Sequence, residues 1–502
     1  MELLTASIGA VYHGPWALAG YVSLLGMNMT PMLVAVCSLV GCSLSAPPEA
    51  PSPPPDVLVV VLDTVRADKL SAYGYDKPTS PQLDAVATAG VVFEDVTAPS
   101  PWTWPSHASL FTGKGPWEHG AHASISERGV GLAGGHWGLL PMRTDLPTLA
   151  ERFTEAGYRT VSLASNRFLD AKMGLTRGFD VAETMPDRAL AKRAVREIAS
   201  PGDKPLFMFV NILLAHAPWE VYPAPWSSQY LEPLRSAETA PPWARGYLMK
   251  STPGIDFYET APGTDRGGYR RLMAGDLVIP PDGMVMLEDL YTSGITAADY
   301  LLHQILDEWT KKHPTGVVVV TSDHGEYLGE HGQIGHGFTV FSEVTQVPLV
   351  IAAPGRIPAG TVVQTPVQLS DVHDTLLDLT GVDKSGADSL VPVIAGQPRT
   401  GPIQSAAWPM SVWATRVGGR FALGHQLYRE GEDVLILDSA GNASLFHAGD
   451  RAMREDRAQA EPDRVAVLRA RAEQAFPEAS STGRVRVPNE ALRQLQALGY
   501  TE

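Results

Sequence analysis

Val57-Leu58-Val59-Val60-Val61-Leu62 is an unbroken aliphatic run, and it ends in Asp63. An amphipathic helix or a half-exposed strand would break such a run with polar residues at a period of 3.6 or 2. Six apolar residues in a row suit a strand buried on both faces, as in a parallel sheet covered by helices. Two more runs have this form. Leu206 to Leu214 leads into Ala215-His216-Ala217-Pro218, and Gly316 to Val320 leads into Thr321-Ser322-Asp323-His324-Gly325. Helical spacing lies between them: a segment closed by Gly90, then 146–157, 187–199 and 288–311. Strand–helix alternation over about 300 residues predicts an α/β domain on a large, doubly wound, mostly parallel sheet.

The three run ends carry the chemistry. Open α/β sheets bind ligands at the carboxyl ends of their strands, and these ends deliver Asp63, His216, Asp323 and His324. Between the first two lies T-W-P-S-H-A-S-L-F-T-G, Thr103 to Gly113. Thr103 sits one turn ahead of a helix start, where Pro105 fits because its missing N–H would be an orphan there anyway. A helix start favours anions. Two carboxylates and an imidazole suit a hard or borderline divalent cation, with Ca²⁺, Mn²⁺ and Zn²⁺ all compatible. A cation touching the Thr103 hydroxyl would lower its pKa and make it a nucleophile. His216 and His336 are candidates to meet the anionic group or the leaving oxygen. Arg66, His107 and Lys114 are candidate substrate contacts. Singly, each of these residues also fits a cap, a turn or a packed loop. Their joint delivery by separate buried strands points to a site.

At 502 residues the chain can hold one large domain and a smaller one. The net charge of −16 argues against non-specific nucleic-acid binding, which needs basic patches. It leaves room for an anionic substrate, because a bound metal dominates the local field. The two cysteines, Cys37 and Cys42, leave the body of the chain without a disulfide framework, a cysteine zinc site or a cysteine nucleophile. Pro31 to Ser43 contains an apolar run too short to span a membrane and suited to a signal-peptide core. Leu39-Val40-Gly41-Cys42 resembles a bacterial lipobox, with Cys42 as the lipidated residue, although no Lys or Arg precedes Arg66. An uncleaved apolar anchor is the other reading of this uncharged segment. A Pro-rich spacer follows. The expected divisions are a leader over 1–42, a linker over 43–55, the α/β domain over 56–385 and a small domain over 386–502. Residues 219–285 read as a long loop over the site, 409–447 as a small antiparallel sheet, and 455–475 and 488–498 as helices. The expected location is the bacterial cell envelope, with the exported protein held at the membrane by its lipid.

These motifs together resemble the sulfatases of the alkaline phosphatase superfamily. The resemblance is carried by V-V-V-L-D-T-V-R-A-D-K-L-S-A-Y-G-Y (59–75), P-S-P-W-T-W-P-S-H-A-S-L-F-T-G (99–113), H-A-P (216–218), T-S-D-H-G-E-Y-L-G-E-H-G-Q-I-G-H-G (321–337), V-T-Q-V-P-L-V-I (344–351), S-D-V-H-D-T-L-L-D-L-T-G-V (370–382) and L-Q-A-L-G-Y (495–500). It implies a large α/β domain with a small C-terminal domain on a four-stranded antiparallel sheet. It implies a divalent metal, Ca²⁺ foremost, on Asp63, Asp323 and His324, with the nucleophile at Thr103. It makes His216 a substrate or leaving-group contact, and His336 stands where some members carry Lys.

Three positions depart from the family pattern. Sulfatases proper have Cys or Ser at the position of Thr103, oxidised to formylglycine, and Thr cannot yield that aldehyde. His107 replaces a frequent Arg, and Thr64 replaces the second Asp of an Asp-Asp pair. Some phosphoryl-transfer relatives use an unmodified Thr at a metal. The resemblance therefore implies hydrolysis of a small sulfuric, phosphoric or phosphonic ester through a covalent threonyl ester. Two alternatives share the site: transfer of a phospho-headgroup to an envelope acceptor, and an inactive sulfatase-like shell that binds anions.

Overall fold

The computed structural model describes residues 53–123, 139–220, 239–241, 244, 268–410, 414 and 419–476. Val57–Leu62 is β1, an interior strand of an eight-stranded sheet. The other strands are β2 (Val91–Phe93), β3 (Arg159–Ala164), β4 (Val181–Thr184), β5 (Leu206–Ile212), β6 (Val317–Thr321), β7 (Leu349–Ala352) and β8 (Thr361–Val363). Their order across the sheet is β8-β2-β7-β6-β1-β5-β3-β4. β7 runs antiparallel to both neighbours, and the remaining pairings are parallel.

The aliphatic run of β1 divides between two cores because successive side chains point to opposite faces. Leu58, Val60 and Leu62 pack with α1 (Pro81–Ala89), α4 (Asp187–Ala199) and α5 (Pro281–Lys312). Val57, Val59 and Val61 pack with α2 (Thr103–Thr112), α3 (Leu149–Glu155) and α6 (Asp371–Thr380). Each buried Val or Leu contributes about 1.5–3 kcal/mol. Val60→Asp would strand a charge with no exposed edge to solvate it.

A second sheet is an antiparallel meander of β9 (Ile403–Ala407), β10 (His425–Glu430), β11 (Asp433–Asp438) and β12 (Ala443–His447). Its helix α7 (Pro462–Ala475) packs Leu468 and Ala472 against Leu435 and Leu445. Arg429 Nη1, 2.7 Å from Asp95 Oδ2, ties the meander to the segment after β2.

Several sequence expectations need correction. The range 219–285 is not all loop: a helix covers Gly268–Ala274, and α5 starts at Pro281 rather than 288. Pro281 and Asp282 form a favourable first turn, but Gly283 and Met284 blur the apolar spacing there. The meander begins at Ile403, before the expected 409. Helix α7 begins at Pro462, not 455, again with proline in the first turn. The leader with Cys42, most of the linker, much of 219–285 and the helix expected at 488–498 lie outside the described residues.

Candidate active site

Asp63 follows β1 directly, and its N–H donates to the Ile212 carbonyl at the end of β5. Thr64 then adopts φ 62°, a left-handed conformation that costs a β-branched residue about 1–3 kcal/mol. Three contacts hold it. Thr64 N–H donates to Asp323 Oδ1 (3.1 Å), its hydroxyl to the Asp63 carbonyl (2.7 Å), and the Tyr291 hydroxyl to the Thr64 carbonyl (2.7 Å). This turn aims Asp63 across the carboxyl edge of the sheet at Asp323, two residues past β6. It also points the Thr64 hydroxyl back onto its own chain, so Thr64 does not stand in for a second acid.

The two carboxylates are built alike. Asp63 Oδ2 accepts from Asn166 Nδ2 (3.0 Å) and Asn211 Nδ2 (2.9 Å). Asp323 Oδ1 accepts from the N–H groups of Thr64 (3.1 Å) and His324 (3.0 Å). The other oxygens, Asp63 Oδ1 and Asp323 Oδ2, are buried with no hydrogen-bond partner. Orphaned acceptors of this kind are costly. Ligand atoms of Asp63, Asp323 and His324 lie within 4.8 Å of one another. Two spare hard oxygens beside an imidazole nitrogen fit a divalent cation. Burial, with the facing Asp323 charge, pushes the Asp63 carboxyl up to about 7. Burial pushes Asp323 up to about 6.

Thr103 is the first residue of α2 rather than lying a turn ahead of it. Its Oγ1 lies 3.2 Å from His324 Nε2, and His324 Nδ1 lies 2.9 Å from the Gly325 carbonyl. With Nδ1–H donated there, Nε2 carries the lone pair that faces Thr103 and the acids. Burial and the neighbouring His336 hold the His324 imidazole down at about 3, so it is neutral. The His336 ring centroid is 4.4 Å from that of His324 and 5.0 Å from that of His216. His336 Nδ1 lies 3.1 Å from Glu326 Oε2, and His216 Nδ1 contacts the Ala217 carbonyl. Burial lowers both histidines and raises Glu326 to about 7.

The structure thus gathers Asp63, Thr103, His216, Asp323, His324 and His336. The three expected substrate contacts are placed otherwise. Arg66 is buried and tied to Asp68 (2.8 Å) and Glu330 (2.7 Å), and it donates to the Glu326 carbonyl, so its charge is spent in a structural network. Lys114 follows the far end of α2, a helix about 15 Å long, and is exposed near Asp374. His107 is one helical turn after Thr103, with Nδ1 3.0 Å from the Thr103 carbonyl and 3.5 Å from Asp323 Oδ2. Its ring packs on Phe111 and Phe209, so it backs the acids from the core side.

The sequence reading missed Asn166, Asn211 and Glu326. A signal existed for the first two. Asn166 closely follows β3, a further strand end at the same edge, and Asn211 is the one polar residue of the apolar β5.

A mostly parallel sheet with a helix-borne hydroxyl and buried acid–imidazole cluster at its carboxyl edge is the arrangement of the alkaline phosphatase-like class. Within that class, the family model described as Sulfatase matches residues 55–382, and the chain belongs to the sulfatase family of ester hydrolases. It is 23% identical over 430 residues to a Delta 4,5-hexuronate-2-O-sulfatase of Bacteroides thetaiotaomicron, covering 76% of this chain and 82% of the relative. A sulfatase of Formosa agariphila is 22% identical over 391 residues, covering 67% and 72%. Among solved structures, the phosphonate monoester hydrolase of Agrobacterium radiobacter superposes with TM-score 0.62 at 20% identity, covering 84% of this chain and 95% of that one. A protein solved with its substrate D-glucosamine-2-N,6-O-disulfate superposes with TM-score 0.63 at 18% identity, covering 85% and 98%.

Proposed function

We propose that this chain is a metal-dependent hydrolase of sulfuric, phosphoric or phosphonic esters that uses Thr103 as its nucleophile. The observation that carries the proposal is the Thr103 hydroxyl at the start of α2, 3.2 Å from His324 Nε2 and beside two carboxylates with unpartnered oxygens. Asp63, Asp323 and His324 would hold the cation, with Thr103 as a further ligand. Bound there, Ca²⁺, Mn²⁺ or Zn²⁺ supplies positive charge that lowers the hydroxyl pKa and offsets the charge of the ester.

The chain's own groups complete the chemistry. The start of α2 directs its N–H groups toward the anion. Thr103 Oγ loses its proton to water and bonds to sulfur or phosphorus. The bond from that atom to the alcohol oxygen breaks, and the alcohol leaves with a proton from the His216–His336 pair. The negative charge of the ester itself favours the protonated imidazoles needed for this. Water then attacks the sulfur or phosphorus of the threonyl ester, releases the acid and restores the hydroxyl. Formylglycine enzymes shed sulfate by hemiacetal breakdown, an exit closed to a threonyl ester. Turnover by hydrolysis at the central atom therefore favours phosphorus esters.

The test is turnover by the chelated protein reloaded with each cation, on aryl sulfates, aryl phosphates, phosphodiesters and aryl phosphonates. At least one class should be hydrolysed, and Thr103→Ala should not hydrolyse it. Absence of any Thr103-dependent turnover across the panel sinks the proposal. We also propose export and lipid attachment at Cys42. Cys42→Ala should then move the protein from the membrane to the soluble fraction.

A further inference from the structure

Among the described residues, Asn166 is the side chain that hydrogen-bonds to both Asp63 and the Thr103 hydroxyl. It is fully buried. Its Nδ2 lies 3.0 Å from Asp63 Oδ2 and 3.4 Å from Thr103 Oγ1. Which end of the amide faces the site follows from its other contacts. Asn166 Oδ1 accepts the Phe168 N–H (3.1 Å), capping the short helix Arg167–Leu169, so an amide flip would oppose two donors. Its backbone N–H is held by Asn211 Oδ1 (3.2 Å), and Asn211 Nδ2 donates to the same Asp63 oxygen. The two asparagines therefore do one thing alike, which is to saturate Asp63 Oδ2 and leave Oδ1 for a ligand. Only Asn166 does a second thing.

We propose that Asn166 is a positioning residue for the nucleophile, whose fixed amide N–H holds the Thr103 hydroxyl in one rotamer and stabilises negative charge on Oγ1 during attack. The proposal rests on the reading of Thr103 as nucleophile. The donor is preorganised: its carbonyl end is clamped by the backbone, so little reorganisation is needed as charge develops on Oγ1. Donation into Oγ1 also leaves the hydroxyl proton to point away from Asn166, and so away from Asp63 Oδ2. This is the geometry expected when one amide sets both the direction of a nucleophile and the free oxygen of the neighbouring acid.

Asn166→Asp tests this, because a carboxylate keeps the cap on Phe168 N–H and loses the donor. Asn166→Ala is the second variant, and Asn211→Ala is the comparison that touches Asp63 but not Thr103. Cation affinity is measured by calorimetry with Ca²⁺ and Mn²⁺, and kcat and KM at saturating cation on the panel ester that wild type hydrolyses. Crystal structures of wild type and Asn166→Asp give the Thr103 rotamer independently of activity. The expected result is one Thr103 rotamer in wild type and more than one in Asn166→Asp. At saturating cation, kcat should fall about 10²-fold in both Asn166 variants, with KM changing little, and lie about tenfold below that of Asn211→Ala. A retained Thr103 rotamer in Asn166→Asp overturns the proposal. So does a kcat in the Asn166 variants equal to that of Asn211→Ala, since Asn166 would then act only through Asp63. If Thr103→Ala itself retains turnover, the nucleophile reading fails instead, and the rotamer result still decides what Asn166 does.

Discussion

Asp371 and the Asp63–Asp323 pair are equally deep in the molecule and are treated in opposite ways. Asp371, at the start of α6, is 1% exposed and receives Arg399 through Nε (2.7 Å) and Nη2 (3.0 Å). Both of its oxygens are used, since Oδ2 also accepts the Gln368 N–H. Burial still holds its carboxyl above the ordinary range, against the pull of Arg399. Asp63 and Asp323 are 0% exposed, face one another, and have no Lys or Arg partner among the described residues. Each keeps one oxygen unpartnered. At Asp371 the chain supplies a guanidinium. At the strand ends it supplies amide donors to one oxygen of each acid and leaves the other open. That difference separates a closed structural pair from a cluster shaped to take a cation from outside.

The largest effect should come from the hydroxyl beside the open pair. Thr103→Ala should lower kcat/KM on the order of 10⁴-fold, as loss of a covalent nucleophile does, while its far-UV circular dichroism matches wild type. Residual turnover within tenfold of wild type would place the chemistry elsewhere. Next in size is the closed pair. Arg399→Met leaves Asp371 charged and alone in the core, and breaking a buried pair in this way costs about 3–5 kcal/mol. Urea unfolding should show that loss with kcat unchanged, because Arg399 touches nothing at the strand ends. A loss under about 1 kcal/mol, the size of a surface-pair effect, would erase the contrast between the two regions.

Residues that carry a charge at a strand end were legible in the sequence, and residues that act by orientation were not. β1, β5 and β6 announce themselves because two-sided burial leaves almost no polar residues in them, Asn211 being the exception within β5, and the acid or imidazole after each stands out against that background. Thr103 was legible through its helix start. Arg66 and Lys114 have surroundings that the sequence does not reveal, for a common reason. A cation near a motif in sequence looks like an anion contact, but only tertiary structure shows Asp68 and Glu330 capturing Arg66, or a whole helix separating Lys114 from Thr103. Glu326 gave little signal, since a second carboxylate acquires meaning only from what it faces, and the strand-end position of Asn166 did not reveal which groups its amide meets. The start of α5 was missed because its first turn carries Pro281, Asp282 and Gly283, which read as loop by composition.

Metal addition sharpens the comparison directly. A cation that binds only the folded state adds RT ln(1 + [L]/Kd), about 2.7 kcal/mol at a hundred times Kd. The urea midpoint of chelated wild type should rise accordingly on adding Ca²⁺ or Mn²⁺. Asp323→Asn should lose most of this gain. Its metal-free form should be no less stable than metal-free wild type, because the substitution removes one of two facing charges. Arg399→Met should gain as much from the cation as wild type does. A metal-independent midpoint in wild type would mean that the two open oxygens are not a cation site.

The smallest effect is a pH dependence whose sign differs between metal-free and metal-loaded protein. The Asp63 carboxyl, at about 7 in the folded metal-free chain, lies above its ordinary unfolded value of about 3.9. Its folded state therefore holds a proton that the unfolded state has released. The stability this confers is complete below the unfolded value and is lost as pH rises through about 7. One proton is worth about 1.4 kcal/mol per pH unit when fully bound in one state only. Asp63 should thus contribute a loss of about 1 kcal/mol between pH 6 and 7, and Asp63→Asn should remove that share of the slope, the shares of Glu326 and Asp299 remaining. With the cation bound the carboxylates must be ionised, so affinity should instead rise with pH over the same interval. Parallel urea midpoints with and without Ca²⁺ from about pH 5 to about pH 8, the range that brackets the Asp63 titration, would show that the open acids and the cation are unconnected. Crossing or converging lines at low pH are what a proton and a metal competing for the same two oxygens must produce.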